Sequence, residues 1–330
     1  MIDNIGRKID YLRISVTDRC NLRCVYCMPE EGIDLLSHDD ILRFDEILRV
    51  VKSCAKLGIE NIRITGGEPL VRKNIPNLIR EIKGVEGIKE VSITTNGVYL
   101  PEYIDELVDA GLDRINISLD TLDREKFMKV TRMDVFHKVK RGIILALEKG
   151  ISCVKLNVVT MKEVNITEVI EFVTLTEKYP IHIRFIELMP IGLGGRFTTV
   201  ENDKVKEIIE KEKELISCKE VVGLGPASYY KIPNAKGTIG FISPMSHEFC
   251  NRCNRVRLTS EGFLKLCLHW NLGIDLKEKL REGISDEKLK EVIYTAIKDK
   301  PQHHEFKSVK ENKQDKNSKY DNRSMFQIGG

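Results

Sequence analysis

The chain has 330 residues, of which 42% are hydrophobic and 31% are charged, and its net charge is +3. This composition is ordinary for a folded protein of one large domain or two smaller ones. So small a net charge gives no reason to expect nucleic acid or a membrane surface as partner, and no apolar run approaches the ~18 residues needed to cross a bilayer. Nine cysteines, an odd number, without a secretory signal indicate reduced thiols and a cytoplasmic location.

Short apolar runs alternate with amphipathic helical stretches over the first 190 residues. The predicted strands are Leu12–Val16, Asn61–Thr65, Glu90–Thr94, Arg114–Ser118, Cys153–Thr160 and His182–Leu188. The predicted helices include Phe44–Leu57, Pro101–Ala110, Phe136–Lys149 and Ile166–Glu177. Strict alternation predicts an α/β fold with parallel strands and right-handed crossovers. Six such units make an incomplete (β/α)6 barrel, an arc that is open on one side.

The pattern changes after Gly192–Gly195. A charged helix is predicted over 201–215, short strand-like pieces over Val221–Phe241, and a final amphipathic helical stretch over 275–299. We expect these parts to form an α+β extension that closes the open side of the arc. Residues 301–323 are rich in Lys, Asn, Asp and Gln with few apolar residues and predict a flexible tail. The expected domains are therefore a core over 1–195, an extension over 196–300 and a tail over 301–330.

Three cysteines follow the first predicted strand with the spacing C-x3-C-x2-C: Cys20, Cys24 and Cys27. Three thiolates this close can hold three corners of a cubic iron–sulfur cluster and leave the fourth iron without a protein ligand. Zinc is the simpler alternative, but it prefers two spaced ligand pairs, and the nearest histidine, His38, is eleven residues beyond Cys27. The spacing therefore favours a cluster whose open iron can bind a small molecule.

Polar or flexible groups follow the ends of several other predicted strands. They are Gly66-Gly67, Thr94–Gly97, Ser118–Asp120 and Met189-Pro190. Each has a structural alternative, because Asn96-Gly97 is a good turn pair and Ser118 or Asp120 could cap a helix. In barrels the active site lies at the carboxyl ends of the strands. Because polar or flexible groups recur at the carboxyl ends of several strands, we expect them to form one shared site.

A second cysteine set lies in the predicted extension, where Cys250, Cys253 and Cys267 have the spacing C-x2-C-x13-C. Spacing alone leaves open a second cluster or a Cys3His zinc site completed by His247 or His269. Arg255 and Arg257 follow at alternate positions of a strand, so both project to one face beside the metal. Guanidinium groups there suit a phosphate-bearing substrate, although a solvated strand face is the structural alternative.

The first cysteine run, with Tyr26 before its last cysteine, and the segment Thr65-Gly-Gly-Glu-Pro69 resemble the radical S-adenosylmethionine (SAM) superfamily. That resemblance implies that the open iron binds SAM and that one electron cleaves it to a 5′-deoxyadenosyl radical. Together with the second cysteine set, the run Phe249–Leu258 and the final Gly329-Gly330, the whole chain resembles the GTP 3′,8-cyclase family of molybdenum cofactor biosynthesis.

The resemblance implies two 4Fe–4S clusters, SAM, and GTP as the substrate. The radical would remove the ribose 3′ hydrogen, and the sugar radical would attack guanine C8 to give 3′,8-cyclo-7,8-dihydro-GTP. The second cluster would engage the guanine base. The resemblance also implies a low-potential electron donor, a downstream cyclic pyranopterin monophosphate synthase and, by resemblance only, a homodimer.

The resemblance also assigns roles to matching residues. The cluster ligands would be Cys20, Cys24 and Cys27 in one set and Cys250, Cys253 and Cys267 in the other. The residues contacting SAM would be Tyr26, Gly67, Ser118 and Met189, and those lining the GTP pocket Arg13, Arg63, Thr94, Lys155, Arg255 and Arg257. Gly329 and Gly330 would reach this pocket and assist cyclisation beside Arg255 and Arg257. Four permanent cations and Lys155 suit a highly anionic nucleotide. Arg184 either joins them or is buried against the barrel wall.

Asn61 departs from the family pattern, in which a lysine is common, and this puts one phosphate contact in doubt. Cys54 and Cys153 are expected in the core, and Cys218 has no assigned role. Two other functions stay open. A peptide-modifying radical SAM enzyme usually has more cysteines in its extension. An iron–sulfur electron carrier or a zinc-stabilised binding module predicts closed four-ligand sites and has no use for the arginine pair.

Overall fold

The computed structural model describes residues 1–218, 225–306, 321 and 323–329. Within them the strands form one open sheet of order β12-β11-β10-β1-β2-β3-β4-β5-β6-β9-β8-β7. The strands are β1 Tyr11–Ser15, β2 Asn61–Thr65, β3 Glu90–Thr95, β4 Arg114–Ser118, β5 Cys153–Thr160, β6 Ile181–Glu187, β7 Ile216–Ser217, β8 Ser228–Lys231, β9 Thr238–Ile242, β10 Arg255–Leu258, β11 Phe263–Lys265 and β12 Gly273–Asp275.

Helices follow the first six strands and recur in the extension. They are α1 Phe44–Lys56, α2 Ile75–Lys83, α3 Leu100–Asp109, α4 Arg124–Thr131, α5 Phe136–Glu148, α6 Val169–Lys178, α7 Asn202–Glu210, α8 Lys277–Arg281, α9 Asp286–Lys298 and α10 Met325–Ile328. None of the helices in the described part of the chain is long and apolar enough to span a bilayer.

The core is the predicted arc of parallel strands. Strands β1 to β6 are neighbours in chain order, and each pair is parallel. The six predicted strands are confirmed to within one residue at each end. The stretch predicted as one helix from Ile166 begins instead as a 3-10 turn, and the α-helix starts at Val169.

The extension joins this sheet at both edges, and the sheet stays open. Strand β10 runs parallel to β1, and β9 runs parallel to β6. Antiparallel partners then continue each edge, β11 and β12 on one side and β8 and β7 on the other. Strand-like pieces were predicted from Val221 onward, and 221–224 lies outside the described residues. The charged helix predicted over 201–215 is shorter, ending at Glu210.

Apolar side chains of the helices pack against the outer face of the sheet. Helix α1 shows the reason, because Ile47, Val50, Val51 and Cys54 recur at helical spacing and are all fully buried. Cys153 at the start of β5 is also buried, so both cysteines expected in the core lie there. With the outer face covered by helices, the polar residues on the inner face of the strands are left to line the concave side of the arc.

Candidate active site

One cavity of about 340 Å³ occupies the concave side of the sheet, and both cysteine sets line it. Other lining residues are Arg13, Tyr26, Arg63, Gly67, Thr94, Ser118, Arg184, Met189, Arg255 and Arg257. Side chains that lie more than 240 positions apart in the sequence, such as Arg13 and Arg257, therefore share one space. Lys155 and Gly329 are not among the lining residues but lie next to them, Lys155 near Arg184 and Gly329 at Arg257. Gly330 lies outside the described residues.

The two cysteine sets lie at opposite ends of the cavity. Cys20 to Cys27 follow the carboxyl end of β1, whereas Cys250 and Cys253 precede the amino end of β10. Because β1 and β10 are parallel, these positions are separated by the length of a strand, which is about 13 Å for five residues. Arg13 pairs in register with Arg257, and Tyr11 with Arg255, so the arginines lie between the two sets.

The two glycines after β2 let its turn pack directly on the first cysteine loop. The Gly67 N–H donates to the Thr17 carbonyl at 2.7 Å, and the Glu68 N–H donates to the Arg19 carbonyl at 2.8 Å. A Cβ at Gly66 would lie 2.8 Å from the Thr17 oxygen, and one at Gly67 would clash with the Arg19 oxygen. Only glycine permits this approach, and it fixes the loop that carries Cys20.

Glu68 connects the same loop to β3, a role that the sequence analysis missed. Its buried carboxylate accepts hydrogen bonds from the Thr95 hydroxyl at 2.7 Å and from the Asn96 N–H at 2.6 Å. The Asn96 amide in turn donates to Asn21 Oδ1 at 2.8 Å and lies 3.8 Å from Cys20 Sγ. Burial raises the pKa of Glu68 to about 7. A carboxylate directly after a glycine pair at a strand end was the available signal.

Tyr26 is oriented by Asp120, which follows β4. The Tyr26 hydroxyl donates to Asp120 Oδ2 at 2.6 Å, and Asp120 Oδ1 accepts from the Val159 N–H at 2.9 Å. Burial raises the pKa of Asp120 to about 6 and that of Tyr26 well above its usual range. Ser118 and Met189 line the same end of the cavity. The four residues predicted to contact SAM therefore come together from the carboxyl ends of four different strands.

The sulfur atoms within each cysteine set are spread apart. Among the described residues, neither set brings three sulfurs within 4.8 Å of one another. A tetrahedral zinc ion with Zn–S bonds of ~2.3 Å would need sulfurs about 3.8 Å apart. Burial raises the pKa of Cys20 to about 11 and that of Cys27 to about 12, and metal binding would release these protons. In the described residues the three sulfurs of the first set therefore do not form the compact arrangement that a single zinc ion requires.

The histidines proposed as zinc ligands lie in different surroundings. His247 is exposed and its Nε2 lies 2.9 Å from Asp203 Oδ2. His269 lines the cavity, where its ring packs against Phe306 at 4.4 Å. The side chains that do approach Cys250 are Glu248 and His304, with ligand atoms within 4.8 Å of one another. The sequence analysis named neither of them, because His304 lies in the segment expected to be a mobile tail.

The arginines between the cysteine sets form a buried cationic wall. Burial, with Arg257 and Arg63 nearby, holds the pKa of Arg13 well below its usual range. Burial and the neighbouring Arg255 lower the pKa of Arg257 to about 10. Arg63 lies over the Tyr11 ring at 5.3 Å, and its Nε donates to Ser92 Oγ at 3.3 Å. Guanidinium groups concentrated in this way suit an anionic ligand.

Lys155 and Arg184 extend this wall on β5 and β6. Burial and the charge of Arg184 lower the pKa of Lys155 to about 7. Arg184 donates from Nε to Asn157 Oδ1 at 2.8 Å and from Nη2 to Asn116 Oδ1 at 2.6 Å, so it is both buried and part of the cavity wall. Asn61 instead donates its amide to the Asp10 carbonyl at 3.1 Å, which ties it to the strand edge.

The last described residues enter the cavity. Helix α10 begins at a capping box, in which the Ser324 N–H donates to Gln327 Oε1 at 2.8 Å. Phe326 lines the cavity, and its backbone lies against the Cys27 thiol. The Gly329 carbonyl accepts a hydrogen bond from Arg257 Nη1 at 2.7 Å. Gly329 has a φ of +73°, and a Cβ there would clash with the Thr65 hydroxyl, so this position needs glycine.

Comparison with known proteins gives consistent matches along the chain. Residues 14–176 match the Radical SAM superfamily, and residues 181–306 match Molybdenum Cofactor Synthesis C. The chain is 49% identical to a protein of Clostridium perfringens (strain SM101 / Type A) named GTP 3′,8-cyclase, over 331 residues and 100% of both chains. It is 50% identical to a Heliobacterium modesticaldum protein of the same name, covering 92% of this chain and 94% of that one.

Among solved structures, the chain is similar to Streptococcus suis SuiB bound to S-adenosylmethionine. The TM-score is 0.64 at 17% identity, covering 90% of this chain and 69% of that chain. At this identity the likeness concerns the fold, and it agrees with the open parallel sheet described above. The full-length relatives at about 50% sequence identity identify the family within this superfamily. The chain belongs to the GTP 3′,8-cyclase family of radical SAM enzymes.

Proposed function

We propose that this chain converts GTP to 3′,8-cyclo-7,8-dihydro-GTP, the first step of molybdenum cofactor biosynthesis. The observation that carries the proposal is the cavity, which has a cysteine set at each end and buried arginines between them. The names of the full-length relatives support the same reaction. Neither an electron carrier nor a binding module requires such a cationic space between two metal-binding ends.

The first site holds a 4Fe–4S cluster through Cys20, Cys24 and Cys27 and places SAM against Tyr26, Gly67, Ser118 and Met189. When bound, this pair supplies the 5′-deoxyadenosyl radical that removes the ribose 3′ hydrogen. The protein's part is to fix the loop and shape the pocket. The close approach of Gly67 to the Arg19 carbonyl and the Tyr26–Asp120 hydrogen bond support this role.

The second site holds a 4Fe–4S cluster through Cys250, Cys253 and Cys267 and faces the guanine base. Membership in the GTP 3′,8-cyclase family and the match to Molybdenum Cofactor Synthesis C support a cluster at this site. Arg255 and Lys300 beside Cys253 lower the pKa of that thiol to about 6, against the effect of its burial. A thiol that ionises near neutral pH is a ready metal ligand.

GTP lies between the sites, bound by Arg13, Arg63, Thr94, Lys155, Arg255 and Arg257. The burial of Arg13, Lys155 and Arg257 supports the assignment, because an anionic ligand would offset the mutual repulsion of the cations. Thr94 adds a polar contact, since its buried hydroxyl has no hydrogen-bond partner among the described residues. Such a group is costly unless a ligand or water satisfies it.

The end of the chain takes part in the reaction through Gly329 and Gly330, together with Arg255 and Arg257. The hydrogen bond between Arg257 and the Gly329 carbonyl supports this role, because it places the tail at the arginine wall. The tail can then orient the guanidinium groups against the substrate during cyclisation.

The cellular setting of the enzyme follows from the same proposal. It works in the cytoplasm, receives electrons from a low-potential donor and passes its product to a cyclic pyranopterin monophosphate synthase. It forms a homodimer. Its domains are a core over 1–195, an extension over 196–300 and a tail over 301–330, with the joins at places where the strand–helix rhythm changes.

The test is formation of 5′-deoxyadenosine by anaerobically reconstituted protein with SAM and a strong reductant, with and without GTP. We expect a clear rise in 5′-deoxyadenosine when GTP is present. SAM cleavage that ignores GTP would move the search to a peptide or another substrate. No cleavage by protein with a verified first cluster would contradict the proposed enzyme.

A further inference from the structure

A charged cluster outside the cavity holds the segment that leads to Gly329. Lys265 on β11 is fully buried, and its ammonium group forms an ion pair with Asp321 Oδ2. The same ammonium donates to the Trp270 carbonyl at 2.9 Å. The Asp321 N–H donates to the His269 carbonyl at 3.0 Å, so backbone and side chain are both held. A buried lysine needs such a counter-charge, because burial alone disfavours its charged form.

Arg323 adds a second attachment two residues further on. Its Nε lies 2.8 Å from Glu261 Oε1, and its guanidinium packs over the Phe263 ring at 4.8 Å. The Arg323 Nη1 also lies 3.3 Å from Asp321 Oδ2, so the Asp321 carboxylate is shared between Lys265 and Arg323. Charge-assisted bonds of this kind are about twice as strong as neutral ones. Asp321 and Arg323 therefore join the end of the chain to the strand β11 and the turn before it.

The paired strands β10 and β11 hold both ends of the final segment, Asp321 at its start and Gly329 at its end. Lys265 on β11 and Arg257 on β10 are direct register partners in an antiparallel pair. Like charges directly opposite one another are unfavourable unless each has its own partner. The tail supplies both partners, with the Asp321 carboxylate at Lys265 and the Gly329 carbonyl at Arg257. One rigid hairpin therefore fixes the two ends of the final segment.

Apolar contacts fill the segment between those two points. Phe326 and Ile328 of α10 are buried, and the Ser324 hydroxyl packs close to Gly192. A single turn of helix is marginal by itself and needs such contacts to persist. These contacts and the attachment at Asp321 hold the segment where the Gly329 carbonyl meets Arg257.

We propose that Lys265 and Glu261 are positioning residues that clamp Asp321 and Arg323 and so set the place of Gly329 beside Arg257. The consequence for catalysis rests on the proposed function, whereas the clamp itself does not. Neither residue lines the cavity, so both act through the tail.

The clamp is tested on the full-length, cluster-loaded chain by hydrogen exchange and mass spectrometry. In Asp321→Asn we expect exchange of the backbone amides over 324–329 to become at least about tenfold faster, because a charge-assisted bond is lost. Asp321→Glu should restore most of the protection, and Glu261→Gln should give a smaller loss. Asp286→Asn breaks an exposed ion pair with Arg49 and serves as the matched control, with no change expected in the tail. Unchanged tail exchange in Asp321→Asn would overturn the proposal.

The positioning role is tested with the same variants under turnover. In Asp321→Asn we expect cyclised product per 5′-deoxyadenosine to fall several-fold while the KM for SAM stays unchanged, because radical formation does not need the tail. Faster tail exchange with normal product yield would overturn the positioning role. If the unaltered chain made no cyclised product, the proposed function would fail, and the exchange experiment would still decide whether the clamp exists.

Discussion

Lys155 is the residue whose charge responds most directly to a bound anion. Burial and the charge of Arg184 lower its pKa to about 7, from an ordinary value of 10.5. Above that pH the amine of the ligand-free protein is increasingly neutral. A triphosphate beside it favours the charged form, so binding takes up a proton.

We therefore predict that GTP affinity falls as pH rises above about 7, by up to tenfold per pH unit. Lys155→Met should bind GTP more weakly and lose this dependence. The measurement is the dissociation constant for GTP between pH 6 and 9. Lys162→Met, in the exposed turn that follows β5, is the control. An equally steep pH dependence in Lys155→Met would show that another group titrates.

Replacing Gly67 is expected to impair SAM cleavage. A Cβ there would clash with the Arg19 carbonyl, so Gly67→Ala must displace the loop that carries Cys20. We expect SAM cleavage to fall by at least about tenfold, since small misplacements of a reacting group carry large costs. Gly84→Ala is the control, because a Cβ there makes only ordinary contacts. Full SAM cleavage by Gly67→Ala would mean that the loop is not held by this contact.

The sequence predicted the chemistry-bearing residues better than those that hold them in place. Cysteine spacing and strand-end glycines are local patterns, so Cys20 to Cys27 and Gly67 could be found without a structure. Glu68 had a local signal in its place after the glycine pair, but its partners and those of His304 and Asp321 could not be predicted, because they lie 27 or more positions away. A carboxylate in a polar segment looks the same whether it is solvated or buried against Lys265.

At the scale of elements, periodicity predicted the six core strands and the helices α1, α3 and α5 to within about one residue, whereas α6 begins three residues later than predicted. It did not predict β11, β12 or α10, which have three or four residues each and too few turns or alternations to show a period. The sequence also did not predict that the extension pairs with both edges of the sheet, because this pairing links residues far apart in the chain.

The two glycines that follow helix α10 can be removed by shortening the chain. We predict that a chain ending at Ile328 keeps both clusters and binds GTP, yet makes less than about a tenth of the cyclised product, because the contact at Arg257 is lost. Iron content, GTP binding and product yield are measured side by side. Normal turnover by the shortened chain would remove the tail from the mechanism.

At the scale of the whole molecule, parallel pairing of β1 with β10 separates the two cysteine sets by a strand length. The two sites should therefore load independently. Each cubic cluster contains four irons, so we predict about four iron atoms per chain in both Cys24→Ala and Cys253→Ala, against about eight in the unaltered chain. Cys24→Ala should lose SAM cleavage completely.

The iron content of the Cys253 variant also tests the second metal. About four irons in the unaltered chain, still present in Cys253→Ala while about one zinc is lost, would show that the second site binds zinc. Loss of all iron from either variant would show that the two ends of the cavity depend on each other for folding.

The most direct test of the account is to follow the hydrogen that leaves the substrate. The protein, loaded with iron and reduced without oxygen, is given SAM and GTP carrying deuterium at the ribose 3′ position. The account predicts that one deuterium appears in 5′-deoxyadenosine and that the cyclised nucleotide forms in step with it. Turnover that leaves the 3′ deuterium in place and the 5′-deoxyadenosine unlabelled would contradict the proposed reaction at this site.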